Sequence, residues 1–449
     1  MSKRNLLLLF LLLCPFAGAR SADDVLKLYF KSIGIQQGLS HQMVNAIVKD
    51  PQGFIWIGTA EGLNRYDGTE FHVYRHEPGN PCSLSTSWIN CLYITRDGRL
   101  FIGTEKGVNV YNAQKENFER ISAENDSRNL LGNLRIRCFC EDSKGYLWIG
   151  TLDGLIRFDR RNGLINFYKL NHYDRDKMHN EVRSLCEDSA GRLWIGTFDG
   201  LYCRETESGV FKSVPLKKAP AEGNCLISGL HIQQEDPHTL YIAATGGLRV
   251  FDTETGGERH YHTANSGIAS NDVRDVTRYD AKHVLAATSS GLSVFDIPSG
   301  GFTNFANSIT DPVSLPTQIV RCLFQDDNGL VWLGTNYGVA CCNSHRRPID
   351  VHYINDTDAE GHTTRETITD IAVLPGEIWI GTNNGLMCYS PDMRLKRHFT
   401  TKNSLLPHNN IKRILTDRSG IMWIGKIGRA HVRTPVTVYN LVCRLLLEK

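Results

Sequence analysis

Four aspartates recur at near-regular intervals: Asp50, Asp97, Asp142 and Asp188. Gathered in one place, such carboxylates would serve general acid–base chemistry. Each is followed within three residues by glycine, as in Asp50-Pro51-Gln52-Gly53 and Asp142-Ser143-Lys144-Gly145. That is turn chemistry, so the four read as caps on one equivalent turn of successive units. His260 and His262 alternate as residues on one sheet face do, which suits solvated positions better than a metal site. No phosphate loop, dinucleotide fingerprint, nucleophile elbow or zinc-helix motif occurs. No catalytic residue, metal or cofactor is therefore expected.

A second set of residues carries recognition chemistry instead. The stretch Gly-Thr-x-x-Gly recurs, and its two inner positions change from copy to copy. They read Ala60 and Glu61, Glu105 and Lys106, Leu152 and Asp153, Phe198 and Asp199, Asn336 and Tyr337. Variable polar and aromatic residues on a constant scaffold are what a binding surface needs. Aromatic faces beside planar hydrogen-bonding groups suit sugars in particular. The candidate ligand-binding residues are Glu61, Trp88, Lys106, Asp153, Phe198, Asp199 and Tyr337. Trp88 joins them because it alone of the seven tryptophans lies outside the repeat position.

The elements that must position these residues form one repeating unit. Phe54-Ile55-Trp56-Ile57-Gly58-Thr59 returns around Trp148, Trp194, Trp332 and Trp379, with Phe101 and the degraded Tyr241 and Leu285 copies between, and begins again at Trp423. The glycines 58, 103, 150, 196, 334, 381 and 425, with Ala243 and Ala287 standing in, lie 44 to 47 residues apart. That period suits a four-stranded propeller blade. In the first unit the strands read Asn45–Val48, Ile55–Thr59, Leu63–Tyr66 and Glu70–Tyr74, alternating in polarity and punctuated by Gly and Asp. The glycine after Trp-Ile is expected to let neighbouring blades approach closely. The predicted fold is all-β: a seven-bladed propeller over 23–345, closed by a strand at Lys27–Lys31, then the first blades of a second ring over 346–425.

The ends and the composition set the context. Lys3 and Arg4, the apolar run Leu6–Phe16 and Ala17-Gly18-Ala19 read as a signal peptide over 1–19, implying export. Residues 426–449, whose reverse translation resembles sequencing-adapter DNA, read as a non-native tail, so the natural chain is expected to continue past Gly425. The net charge is +2, with no basic stripe for nucleic acid. Cys91, Cys138 and Cys322 share one strand position, where a thiol acts as a small hydrophobe. A single disulfide would have to come from Cys82, Cys203, Cys225 and Cys388.

Repeated Ile-Trp-Ile-Gly-Thr-x-x-Gly-Leu-x-x-Tyr-Asp, opened by Gly38-Leu39-Ser40, resembles the two-component regulator propeller. The resemblance implies the periplasmic sensor of a hybrid two-component histidine kinase of the Bacteroidetes kind. It also implies an oligosaccharide ligand, a homodimeric full-length receptor, and membrane attachment through a C-terminal helix followed by a kinase core, both absent here. This chain would itself not be an enzyme. The competing readings are a secreted carbohydrate-active propeller lyase or hydrolase, which would gather carboxylates at one mouth of the ring, and a protein-interaction scaffold.

Overall fold

Alternating apolar residues make each repeat a strand-forming stretch, and the Asp/Gly turns reverse it. The first blade has strands Val44–Lys49, Ile55–Thr59, Gly62–Tyr66 and Phe71–Tyr74, named A to D from the inside outward and paired antiparallel in that order. The computed structural model describes residues 26–170, 180–205, 209–217, 225–233, 236–311, 313–343, 354–357, 363–417 and 422–426. The signal-peptide segment and all of the tail beyond Lys426 lie outside them.

Contacts divide the chain into two compact units, 1–348 and 349–449. The first holds seven four-stranded sheets. Their A strands after the first are Ile89–Ile94, Ile136–Glu141, Val182–Glu187, Ile227–Ile232, Val273–Arg278 and Val320–Gln325. The second unit holds a hairpin (Asn355–Thr357 with Thr363–Arg365), one complete blade beginning with strand A at Ile368–Leu374, and the pair Ile411–Thr416 with Met422–Lys426. The blade's strand A leaves Ile371 and Val373 more than half exposed.

The glycine after Trp-Ile sets the contact between blades. A Cβ on Gly58 would lie 2.6 Å from Ile89 Cγ2 of the next blade, and one on Gly150 would lie 2.8 Å from Val182 Cγ1. On Gly334 it would meet Val44 at 2.7 Å, so the seventh blade abuts the first and the ring closes. Within its own blade each glycine faces a strand-A residue: Ala46, Cys91, Cys138, Ser184 and Cys322 oppose Gly58, Gly103, Gly150, Gly196 and Gly334. In the fifth blade the pair is inverted, Gly229 facing Ala243. The pair must stay small in sum because the next blade's β-branched side chain fills the same space. Cys91, Cys138 and Cys322 serve as such fillers, and burial raises all three thiols, Cys322 to about 12. The eleven described cysteines are all free, including Cys82, Cys203, Cys225 and Cys388.

Trp and Gly point the same way along strand B, so the indole packs into the same junction. Trp56 is 1 % exposed and clusters with Ile89 and Ile102 of the second blade; Trp148 sits likewise against Val182 and Ile195. In three of the ring's four tryptophan blades the indole N–H is met by the turn aspartate six residues earlier: Trp56 Nε1 donates to Asp50 Oδ2 at 2.7 Å, Trp148 to Asp142 at 2.7 Å and Trp194 to Asp188 at 2.8 Å. The other carboxylate oxygen caps the turn, accepting Phe54 N from Asp50 and Tyr146 N from Asp142. Asp97 departs from the expectation of one equivalent position. The residue six before Phe101 is Thr95, whose hydroxyl accepts Arg99 N at 3.2 Å. Phe101 offers no N–H to accept, and Asp97 instead pairs with Arg160 at 2.7 Å.

The closing strand is shifted from its expected position. Lys31–Ile33, not Lys27–Lys31, pairs with Gly338–Asn343 as the outer strand of the seventh blade. The alternation of Lys27–Phe30 reflects packing rather than a ladder. Leu28 and Phe30 are buried in the core of the sixth and seventh blades, Phe30 edge-on to Phe305, and Phe30 N donates to Val313 O at 2.8 Å.

Three outcomes are expected. Trp148→Ala should cost about 3–5 kcal/mol in denaturant unfolding, the range for a buried aromatic. In a cycle of Trp148→Phe and Asp142→Thr, which reproduces the second blade's Phe101 and Thr95, the double variant should lose less stability than the two single losses together, because each partner alone strands a buried polar group. Asp275, opposite Ala287, is half-buried and accepts Val276 N and Leu323 N; desolvation raises its carboxyl to about 6. A raised carboxyl contributes stability that is complete below its ordinary value near 3.8 and lost as pH rises through about 6. Asp275→Asn should therefore flatten the melting-temperature profile between pH 4 and 7, an effect on the order of 2–3 kcal/mol.

Candidate functional site

Strand A carries a β-bulge in every blade of the ring. In the first, Val44 pairs with Thr59 and Ala46 with Gly58, leaving Asn45 without a ladder partner. The residue skipped in the same way is Asn90, Arg137, Arg183, Ser228, Arg274 and Arg321 in the following blades. A bulge re-aims the side chain it frees. Here all seven freed side chains line one cavity of about 660 Å³ at the centre of the ring, together with Trp88, Glu105, Arg135, Leu226 and Asp272.

The rim of that cavity is formed by the B–C and D–A loops, which the hydrogen bonds place on one face. In the first, third, fourth and seventh blades the first variable residue of the B–C loop is tied to the segment entering strand A: Ala60 N donates to Met43 O, Leu152 N to Arg135 O, Phe198 N to Glu181 O and Asn336 N to Ile319 O. The second is tied to the loop's own threonine. Thr59 Oγ1 donates to Gly62 O at 2.9 Å and accepts Glu61 N at 3.2 Å, and Thr104, Thr151, Thr197 and Thr335 repeat the arrangement. Gly38-Leu39-Ser40 anchors the D–A loop: Leu39 is buried, and Ser40 bonds Asn64 Oδ1 through its amide and Thr59 through its hydroxyl.

These tethers decide where the expected residues stand. Trp88, 40 % exposed, lines the central cavity. Glu61, Lys106 and Asp199 are exposed second-position residues outside its lining. Asp153 pairs with Lys169 at 3.2 Å, and Phe198 is half-buried. Tyr337, 66 % exposed, lies over a separate hollow of about 320 Å³ beside Ile35, Gln37 and Pro316. The structure thus brings Trp88 together with residues the sequence reading did not select, the bulge arginines. Their signal was a column: Arg137, Arg183, Arg274 and Arg321 each stand thirteen residues before the repeat's Gly or Ala.

Charge in the cavity is unbalanced. Arg135 pairs with Glu105, Arg137 with Glu181 at 2.7 Å, Arg183 with the same Glu181 at 3.3 Å, and Arg274 with Asp272 at 2.9 Å. Arg321 hydrogen-bonds Asn336 Oδ1 at 3.3 Å. Five arginines thus meet three carboxylates, each already held by a guanidinium. Such a site binds and orients polar ligands; its carboxylates are committed to ion pairs rather than arranged as an acid and a base. Among the described residues, no three His, Cys, Asp or Glu side chains gather as metal ligands would.

The two-component regulator propeller model matches residues 38–61, 83–106, 129–153, 176–199 and 314–337. Each match runs from the end of a D–A loop to the B–C loop; the fifth and sixth blades, which carry Ala for Gly, lie outside. A 56-residue stretch, 12 % of this chain and 4 % of its relative, is 43 % identical to histidine kinase P4 of Formosa agariphila. Among solved structures, the extracellular domain of BT3049 from B. thetaiotaomicron, named as a hybrid two-component system, superposes with TM-score 0.58 at 20 % identity, over 90 % of this chain and 64 % of that domain. The corresponding domain of BT4673 gives 0.58 at 22 %, over 89 % and 51 %. The chain therefore spans half to under two thirds of those domains. Virginiamycin B lyase of Staphylococcus aureus shares the fold at 12 % identity and TM-score 0.54, over 71 % of this chain and 99 % of the lyase. Five blades thus match the two-component regulator propeller repeat, on a fold shared with extracellular domains of two-component systems.

Proposed function

We propose that this propeller is the extracytoplasmic ligand-sensing part of a two-component sensor. It recognises an oligosaccharide at the mouth of the central cavity and signals to a histidine kinase elsewhere in the full-length, homodimeric protein. The carrying observation is the convergence of seven bulge residues on one cavity, beneath loops whose composition varies from blade to blade. The repeat match and the resemblance to extracellular two-component domains support the sensor assignment.

Trp88 is the aromatic platform in this reading. The repeat tryptophans of the ring are at most 5 % exposed, so a ligand-induced change in indole emission would report Trp88. Screening a panel of plant and host oligosaccharides by intrinsic fluorescence should yield a binder whose affinity drops about tenfold or more in Trp88→Ala, as for a buried aromatic anchor. Tyr337→Ala and Asp199→Ala should change it less than threefold. A binder insensitive to Trp88→Ala would place the sugar site away from this cavity.

A further inference from the structure

The central cavity has two unlike sides. The first and second blades contribute the neutral, planar Asn45, Asn90 and Trp88, and Glu105, whose charge is met by Arg135 of the third blade. The third, fourth, sixth and seventh contribute Arg137, Arg183, Arg274 and Arg321. The carboxylates that enter this set belong to the protein and are shared out: Glu181, 1 % exposed, is divided between Arg137 and Arg183. Arg274 has Asp272, and Arg321 has the neutral Asn336. The Nε groups of Arg183 and Arg321 are buried and without a hydrogen-bond partner, as are Asn45 Oδ1 and Asn90 Nδ2. Burial lowers the Arg321 guanidinium from its ordinary value, and the neighbouring charge of Arg274 lowers it further. The protein thus holds like charges close together, in a partly desolvated place, with donors left over. A guanidinium in that condition is matched by a planar or tetrahedral oxyanion, which accepts two parallel N–H bonds.

We infer that the cavity binds an oxyanion, a carboxylate or sulfate group, on Arg274 and Arg321, with Arg183 across the cavity. This rests on the ligand-sensing reading above and narrows it to an acidic ligand: a sugar ring against Trp88 would place its acid group on the arginine side. The bound anion replaces the charge that the protein does not supply, so binding should weaken as ionic strength rises.

The test uses the full chain and three probes at equal ionic strength balanced with chloride: sodium sulfate, tetragalacturonate and the neutral maltotetraose. Tetragalacturonate or sulfate should raise the melting temperature, as any ligand of the folded state does. Maltotetraose should raise it less. Arg274→Gln/Arg321→Gln should weaken anion binding by calorimetry at least tenfold, while Arg321→Lys keeps part of it. The unliganded double variant should melt no lower than wild type, because a repulsion has been removed; this separates loss of the site from loss of the fold. If sulfate binds through these arginines and no oligosaccharide does, the oxyanion site stands and the oligosaccharide reading falls. If maltotetraose binds as well as tetragalacturonate and depends on Trp88 alone, the sensor reading stands and the oxyanion site falls. Anion binding unchanged in the double variant, or no anion binding at all, overturns the inference.

Discussion

The packing of one blade on the next depends on the space where a side chain would begin. With no Cβ on Gly58, Gly103, Gly150, Gly196 and Gly334, a β-branched residue from the following blade can enter the sheet surface itself. Close packing tolerates no void there and no extra methyl. The opposing strand-A residue, the repeat Trp and the turn aspartate are all adjusted to this junction. Where the aromatic loses its N–H, as at Phe101, the aspartate six residues earlier is replaced by Thr95. In the seventh blade Asp326 lies 3.7 Å from Lys49 of the first, and the Trp332 indole N–H has no acceptor among the described residues. At Phe101 the exchange follows the lost N–H; in the seventh blade the aspartate faces Lys49 instead.

Tight packing at strand B has a consequence at strand A. The innermost strands crowd together near the axis, where seven regular ladders would point alternate side chains at their neighbours. A bulge at one position in each strand relieves this and turns one side chain inward. The ring's mechanical solution and its recognition surface are therefore the same feature. Changing the residue freed by the bulge alters the cavity while leaving the glycine–tryptophan junction of strand B in place, which lets one scaffold present Asn, Ser or Arg at this position.

Much of this was legible in the sequence because it repeats. The period, the strand order and the close approach at Gly58 and its counterparts follow from the spacing of Gly, Trp and Asp. The same regularity hid the cavity. Arg137, Arg183, Arg274 and Arg321 come once per unit, far apart in the chain, and only closure of the ring brings them together. The B–C loops were legible as variable pairs, yet the hydrogen bond from the Glu61 amide to Thr59 Oγ1, which orders the two variable positions, has no signature beyond a common threonine. Lys27–Phe30 looked like a strand because alternation records burial, and burial against Phe305 produces the same pattern as a ladder does.

The seventh blade is assembled from both directions of the chain, its outer strand Lys31–Ile33 lying on Gly338–Asn343. During synthesis, the segment that seals the ring emerges first and its partner emerges some three hundred residues later. Until then the six intervening blades can stack but cannot circularise. Topologies that depend on such distant pairing fold slowly, and the open seam meanwhile offers two unpaired strand edges to other chains. The waiting strand is three residues long and begins with a lysine, which limits its capacity to pair wrongly. Closure must wait for that partner, and the axial cavity, lined by residues of all seven blades, is complete only with it.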